Sequence, residues 1–370
     1  MNCDFFSLQL QQLAAAGNLR TIPAGTPEGV CDLSSNDYLG LAEEPGLADA
    51  FLAATDITAA SLTSSASRLL APRQTAYEAL EQTLARMYGR PALLFNSGYH
   101  ANVGVVQALA DRRTLILADR LVHASVIDGI RLSGAVFERF RHNDVAHLEQ
   151  LIARRRADFD RLLVIVESVY SMDGDTAPLD ALVELRDRTP GMMLYVDEAH
   201  AVGVCGPQGL GLAAALEHPE KADIVVGTLG KALASAGAYV ICTEVLRSYL
   251  INRSRSLIFS TALPPLQALW SKYILETMAG MDDRREHLRR LGSQLARFTG
   301  CSHHGHIQPL VTGSSESALA LSRRLLDIGY KVLPIRTPTV PPGTERLRFS
   351  LSAALSCEAI QGLERAGELR

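Results

Sequence analysis

Lysine is scarce in this chain: four of its 36 basic residues are lysines, so arginine carries nearly all of the positive charge. No basic block occurs, the formal net charge is -4 and the pI is about 6.2, which argues against a nucleic-acid footprint. The six cysteines stand singly at positions 3, 31, 205, 242, 301 and 357, without a CxxC pair or a Cys/His metal spacing. That excludes a disulfide framework and a thiolate metal site, and makes a reduced, cytoplasmic protein the default expectation. No apolar run approaches the roughly 18 residues of a membrane span. The N-terminus, MNCDFFSLQLQQLAAAGNLR, has no basic region ahead of an apolar one and reads as a short amphipathic helix rather than a signal peptide. GVCGPQGLG is Gly-rich but is neither GxGxxG nor a Walker loop, so a nucleotide site is not expected. What remains is a soluble globular composition, 47% hydrophobic and 21% charged over 370 residues, enough for a large core and a second, smaller domain.

From about residue 75, short apolar strands alternate with helical patterns. Strands are expected at 92–95, 114–118, 136–140, 162–167, 193–197 and 224–226, with helices between them. The order argues for an α/β fold built on a mostly parallel, doubly wound sheet, whose ligands bind at the carboxyl ends of the strands. After TALPP (261–265) the pattern changes to a long helical region over 266–298 and a smaller α+β unit. The expected divisions are an N-terminal helix and arm (1–45), a large domain (46–265), and a helical connector with a small C-terminal domain (266–370).

Three strand ends carry reactive side chains. The segment ADIVVGTLGKALASAGAY (222–239) runs from an apolar strand into small residues, with Lys231 among them. A desolvated amine there suits Schiff-base chemistry, because only the neutral amine attacks a carbonyl. The same pattern also fits a surface lysine snorkelling past a strand. Asp197 closes the apolar strand of MLYVDEAH, with His200 three residues later; a buried carboxylate needs a partner, although a cap or structural ion pair fits equally well. Glu167 ends VIVE before a Ser/Asp/Gly loop. The stretch NSGYHAN (96–102) opens a helix, as an anion cradle or a plain N-cap. Together these pieces meet the needs of pyridoxal phosphate: a lysine, an acid beside the pyridine nitrogen, a phosphate anchor, and His123 able to lie on the ring.

The chain resembles the α-oxoamine synthase family of fold-type-I pyridoxal-phosphate enzymes. The matches are LSSNDYLGLA (33–42), ALLFNSGYHAN (92–102), ADRLVHASVIDG (118–129), RFRHNDVAHLE (139–149), ESVYSMDGDTAPL (167–179), YVDEAHAVGVCG (195–206), VGTLGKALASAGAYV (226–240), LIFSTALPP (257–265) and IRTPTVPPGTERLRFSL (335–351). The resemblance implies an aspartate-aminotransferase-like fold with pyridoxal 5'-phosphate joined to Lys231. It assigns Asp197 to the pyridine nitrogen, His200 to the phenolic oxygen, His123 to the ring face, and Ser171 and Thr228 to further cofactor contacts. Gly98 and Tyr99 would meet the phosphate, while Ser260 and Thr261 would reach that of a neighbouring subunit in a homodimer. Asn36 and Arg348 would hold the amino-acid carboxylate; alternation puts Arg346 on the same strand face as Arg348, and only the resemblance separates them. Thr339 and Arg20 fall on the substrate side, Arg20 toward the carboxylate of the acyl chain. The implied reaction condenses an amino acid, L-alanine in this reading, with a pimeloyl thioester of coenzyme A or a carrier protein and releases CO₂. A sibling using glycine or serine with another acyl thioester is the alternative. No metal is implied. Two departures stand out: SSASR (64–68) replaces a Gly-rich stretch, and Tyr77 stands where many members have histidine.

Overall fold

The computed structural model describes residues 3–22, 25–58, 60–72 and 74–367. The chain divides into two compact units. The larger comprises Leu39–Ser171 and Asp175–Arg285; the smaller comprises Met1–Tyr38, Met172–Gly174 and Glu286–Arg370.

A seven-stranded sheet organises the larger unit. Its spatial order is Ala92–Phe95, Ala238–Ile241, Ile224–Thr228, Met192–Asp197, Arg161–Glu167, Thr114–Asp119, Val136–Phe140. All pairings are parallel except the two made by Ala238–Ile241. The central strands read as unbroken apolar runs because helices cover both faces of such a sheet. Leu162, Leu163, Val164, Ile165 and Val166 are all buried, each side chain stabilising by roughly 1.5–3 kcal/mol relative to exposure. Val136–Phe140, at the sheet edge, is the mixed strand and is buried fully only at Phe140. Helix Gly98–Leu109 packs closely on helix Ala124–Ser133. Gly129 allows that approach: a Cβ there would lie 3.0 Å from the Asn102 carbonyl and 3.0 Å from Val106 Cβ. The expected 266–298 helical region is two helices, Pro265–Met278 and Asp282–Thr299.

The smaller unit carries a three-stranded antiparallel sheet with Arg346–Ser350 between Leu333–Ile335 and Ile307–Val311. Helices Ser315–Asp327 and Cys357–Ala366 belong to this unit, as does a short parallel pairing of Cys31–Asp32 with Tyr330–Lys331. The N-terminal helix Asp4–Ala15 buries none of its side chains. No helix among the described residues is long and apolar enough to cross a membrane.

Candidate active site

Three neighbouring strands of the large sheet end in Glu167, Asp197 and Thr228, and the parallel register sets Glu167 directly beside Asp197. Their side chains therefore project from one end of the sheet, where the topology of such folds puts ligands.

Asp197 is buried, and its two oxygens are held by neutral donors: Asn102 Nδ2 at 2.7 Å and the Ala199 amide at 2.9 Å. Asn102 cannot turn its amide round, since its Oδ1 accepts from the buried Tyr195 hydroxyl at 2.6 Å and its Nδ2 also donates to Ser125. No arginine or lysine forms an ion pair with Asp197 among the described residues. A buried carboxylate so arranged suits a cationic ring nitrogen supplied by a bound group. Glu198, the next residue, is turned to other work: Ser168 Oγ and the amides of Leu212 and Ala213 donate to it. Burial pushes its carboxyl up to about 7.

Lys231 lies in the turn after the strand Ile224–Thr228, partly buried, with Nζ 2.7 Å from His200 Nε2. His200 is itself buried. The amine thus sits at the sheet end with an imidazole beside it rather than extending to solvent. Thr228, also buried, is tied to the same turn through the Gly230 amide and the Gly237 carbonyl. His123 caps helix Ala124–Ser133 through Nδ1, which meets the Ser125 amide and hydroxyl. Desolvation lowers its pKa; Asp197 opposes that shift and the Lys231 charge reinforces it. The residue as a whole is exposed.

The phosphate-cradle residues lie at the start of helix Gly98–Leu109. Ser97 caps it, accepting from the His100 amide at 3.2 Å. Gly98 faces Thr228: a Cβ there would lie in ordinary contact with Thr228 Cβ and Oγ1, both at 3.9 Å. A side-chain cap satisfies one of the four free amides at a helix start, so capping and anion binding are compatible in principle. Tyr99 is half-exposed, and its hydroxyl donates to Asp128 at 2.7 Å. Ser171 follows Glu167 in the chain, and its amide donates to Glu167 Oε2 at 3.3 Å. Glu167 Oε1 is buried without a hydrogen-bond partner. Desolvation, with Asp197 beside it, pushes the Glu167 carboxyl up to about 8. Ser260 and Thr261 lie after helix Arg255–Ile258, and Thr261 is exposed.

The smaller unit brings its expected residues together separately. Arg348 is buried; Nη1 and Nη2 both lie 3.2 Å from Asn36 Oδ1, and Nη2 is 3.2 Å from the Tyr38 hydroxyl. Arg346 is engaged differently, by ion pairing with Asp173 and by donation to the Thr344 carbonyl. The strand pattern could not separate the two arginines; their partners do. Arg20 Nη2 donates to Thr339 Oγ1 at 2.8 Å on the exposed side of this unit. Asn102 and Tyr38 had no assigned role in the sequence reading. The signal for Asn102 was an amide one turn into a helix of mainly apolar residues.

The aminotransferase class I and II family matches residues 28–365. The chain belongs to that family. Within it, the chain is an α-oxoamine synthase of fold type I, and its cofactor is pyridoxal 5'-phosphate. Proteins named "Putative 8-amino-7-oxononanoate synthase" match it along nearly their whole length. That of Pasteurella multocida is 46% identical, covering 96% of both chains. That of Glaesserella parasuis is 47% identical, covering 97% of this chain and 98% of its own. Among solved structures, a serine palmitoyltransferase variant from S. paucimobilis with a bound PLP–myriocin aldimine superposes with a TM-score of 0.89 at 28% identity, covering 99% and 96%. The 8-amino-7-oxononanoate synthase of Francisella tularensis gives 0.78 at 26% identity, covering 93% and 97%. The geometry around Lys231 fits the cofactor: an amine, a neutral-donor-held carboxylate and an imidazole lie at one sheet end, with the start of helix Gly98–Leu109 beside Thr228.

Proposed function

We propose that this enzyme is an 8-amino-7-oxononanoate synthase. It condenses L-alanine with a pimeloyl thioester to give 8-amino-7-oxononanoate, CO₂ and the free thiol, a step of biotin biosynthesis. The observation that carries the reading is Lys231 Nζ at 2.7 Å from His200 beside the neutral-donor-held Asp197. The names of the near full-length relatives give 8-amino-7-oxononanoate as the product and support this reading.

When bound, pyridoxal phosphate supplies an electron sink for the carbanion that attacks the thioester. The protein's part is to hold charge and move a proton. Asp197 holds a proton on the ring nitrogen. Lys231 would hold the cofactor, its amine when free would serve as the base for the α-proton, and the His200 imidazole 2.7 Å away would keep that amine in place. His123 would cover the ring face. Gly98 and Tyr99 face the phosphate, Ser171 and Thr228 make further cofactor contacts, and Ser260 and Thr261 serve the phosphate of a second subunit in a homodimer. Arg348, steadied by Asn36, takes the α-carboxylate through a charge-assisted pair, and Arg20 with Thr339 takes the far carboxylate of the acyl chain.

The test is a product assay with L-alanine, glycine and L-serine against pimeloyl, acetyl and palmitoyl thioesters, each on coenzyme A and on a carrier protein. The expected result is 8-amino-7-oxononanoate from alanine and the pimeloyl donor alone. Preferential turnover of serine with palmitoyl thioester, or of glycine with acetyl thioester, would replace this assignment with that of a sibling.

A further inference from the structure

Three consecutive carbonyls ahead of helix Pro265–Met278 are each held by a side chain from a different part of the larger unit. Asn96 Nδ2 donates to the carbonyl of Thr261. Ser64 Oγ lies between two carbonyls, that of Ala262 at 3.0 Å and that of Ala66 at 2.9 Å, and its one proton is shared between them. The Tyr77 hydroxyl donates to that of Leu263. Backbone pairing adds to this, with the Ala262 amide on the Ala66 carbonyl at 2.9 Å and a bridge between Ser67 and Thr261. Ser64 and Tyr77 are buried. The phenol ring is fixed in turn: the Arg68 guanidinium stacks over it at 4.6 Å and is itself paired with the buried Glu81. A small cavity beneath the segment is lined by Tyr77, Asn96, Ser260 and Leu263, among others.

These residues coincide with the chain's two departures from its family's pattern. Ser64 lies in the segment that replaces the Gly-rich stretch, and Ser65 beside it takes φ +52, a left-handed conformation more natural to glycine. Tyr77 stands in place of a histidine. The substitutions have therefore not loosened this corner; they form two of the three anchors.

We infer that Tyr77, Ser64 and Asn96 are positioning residues that clamp the backbone of 261–263 and so hold the Ser260 and Thr261 hydroxyls where a cofactor phosphate is bound. This rests on the proposed role of those two hydroxyls. Tyr77 and Ser64 touch neither cofactor nor substrate; they act through the backbone. Asn96 adjoins the Ser97 helix cap, so one amide ties this segment to the helix start proposed to hold the other phosphate.

The test compares binding of pyridoxal phosphate with that of pyridoxal, which lacks the phosphate, by absorbance titration of apoprotein at a concentration where size-exclusion chromatography shows a constant oligomer. Removing a buried hydrogen bond is worth about a five- to tenfold change. Tyr77→Phe is expected to weaken pyridoxal phosphate by about that factor and pyridoxal by less than about twofold. Ser64→Ala, which leaves the ring and its packing intact, should give the same selective loss. Thr261→Ala should do so more strongly, and adding Tyr77→Phe to it should cost little further, the non-additivity of residues acting through one contact. Equal loss for both ligands, or an unchanged phosphate preference in Tyr77→Phe and Ser64→Ala beside a large loss in Thr261→Ala, overturns the clamp alone. An unchanged preference in both Ser260→Ala and Thr261→Ala overturns the phosphate role and the clamp with it.

Discussion

Asp197→Asn separates charge from shape at the centre of the site. Both Asp197 oxygens accept, one from Asn102 Nδ2 at 2.7 Å and one from the Ala199 amide at 2.9 Å. Asparagine offers one acceptor and one donor, so whichever way its amide turns, one neighbour is left facing an N–H group. Asn102 cannot relieve this by flipping, because the Tyr195 hydroxyl occupies its Oδ1. An unsatisfied buried donor costs roughly 1–3 kcal/mol, which a chain of this size tolerates without unfolding. The functional loss has another origin: the amide carries no charge to keep the cofactor's ring nitrogen protonated, and the electron sink fails. The expected outcome is a folded protein with a modestly lowered Tm, weakened cofactor binding, and kcat down by orders of magnitude. Tm by calorimetry on apoprotein, cofactor titration and single-turnover kinetics measure the three terms separately. Turnover within a few-fold of wild type would show that the ring nitrogen does not meet Asp197.

Lys231→Ala is expected to fold and to form no borohydride-reducible link to the cofactor; peptide mapping that finds reduced cofactor on Lys221, Lys272 or Lys331 would move the attachment. Arg348→Ala should weaken L-alanine binding by the roughly 2–5 kcal/mol of a lost desolvated charge pair, while Arg346→Ala, which breaks the Asp173 pair, leaves that affinity nearly intact. Spectral titration with alanine distinguishes them, and the reverse pattern would transfer the role. Glu167 predicts a pH effect. Its folded carboxyl, raised to about 8 from an ordinary value of 4.5, holds a proton that the unfolded chain has lost, so this group's contribution to stability falls as pH rises from about 4.5 through 8. Glu167→Gln, which cannot ionise, should gain stability relative to wild type on going from pH 5 to pH 8.5; a Tm difference that stays constant across that range refutes the raised pKa.

The sheet was legible because its strands are buried on both faces and therefore read as apolar blocks between helical patterns. Arg161–Glu167 and Met192–Asp197 appear in the sequence almost at their observed bounds. The strand Ala238–Ile241 was not legible: it follows the Gly/Ala/Ser turn after Lys231 with only four residues, and nothing local to it signals the antiparallel direction. Helix Glu244–Arg253 escaped for a related reason, since only Leu250 on it is buried and no apolar stripe forms. Site residues divide in the same way. Lys231 and Asp197 drew attention in the sequence as candidates because reactive groups at the ends of apolar strands are chemically out of place, and the role of His200 entered through the resemblance. Asn102 did not, because its importance lies in what it does to Asp197 across 95 residues of sequence. A helix turn and a strand end, each unremarkable alone, form one hydrogen-bonded unit only when folding brings Asn102 to Asp197. The two arginines of RLRFSL make the same point from the other direction. Period-two alternation gives both the same face, and only tertiary partners, Asp173 for Arg346 against Asn36 and Tyr38 for Arg348, assign them different work. Residue type and spacing thus bound the chemistry, while the choice among equivalent residues belongs to the neighbours that folding brings to them.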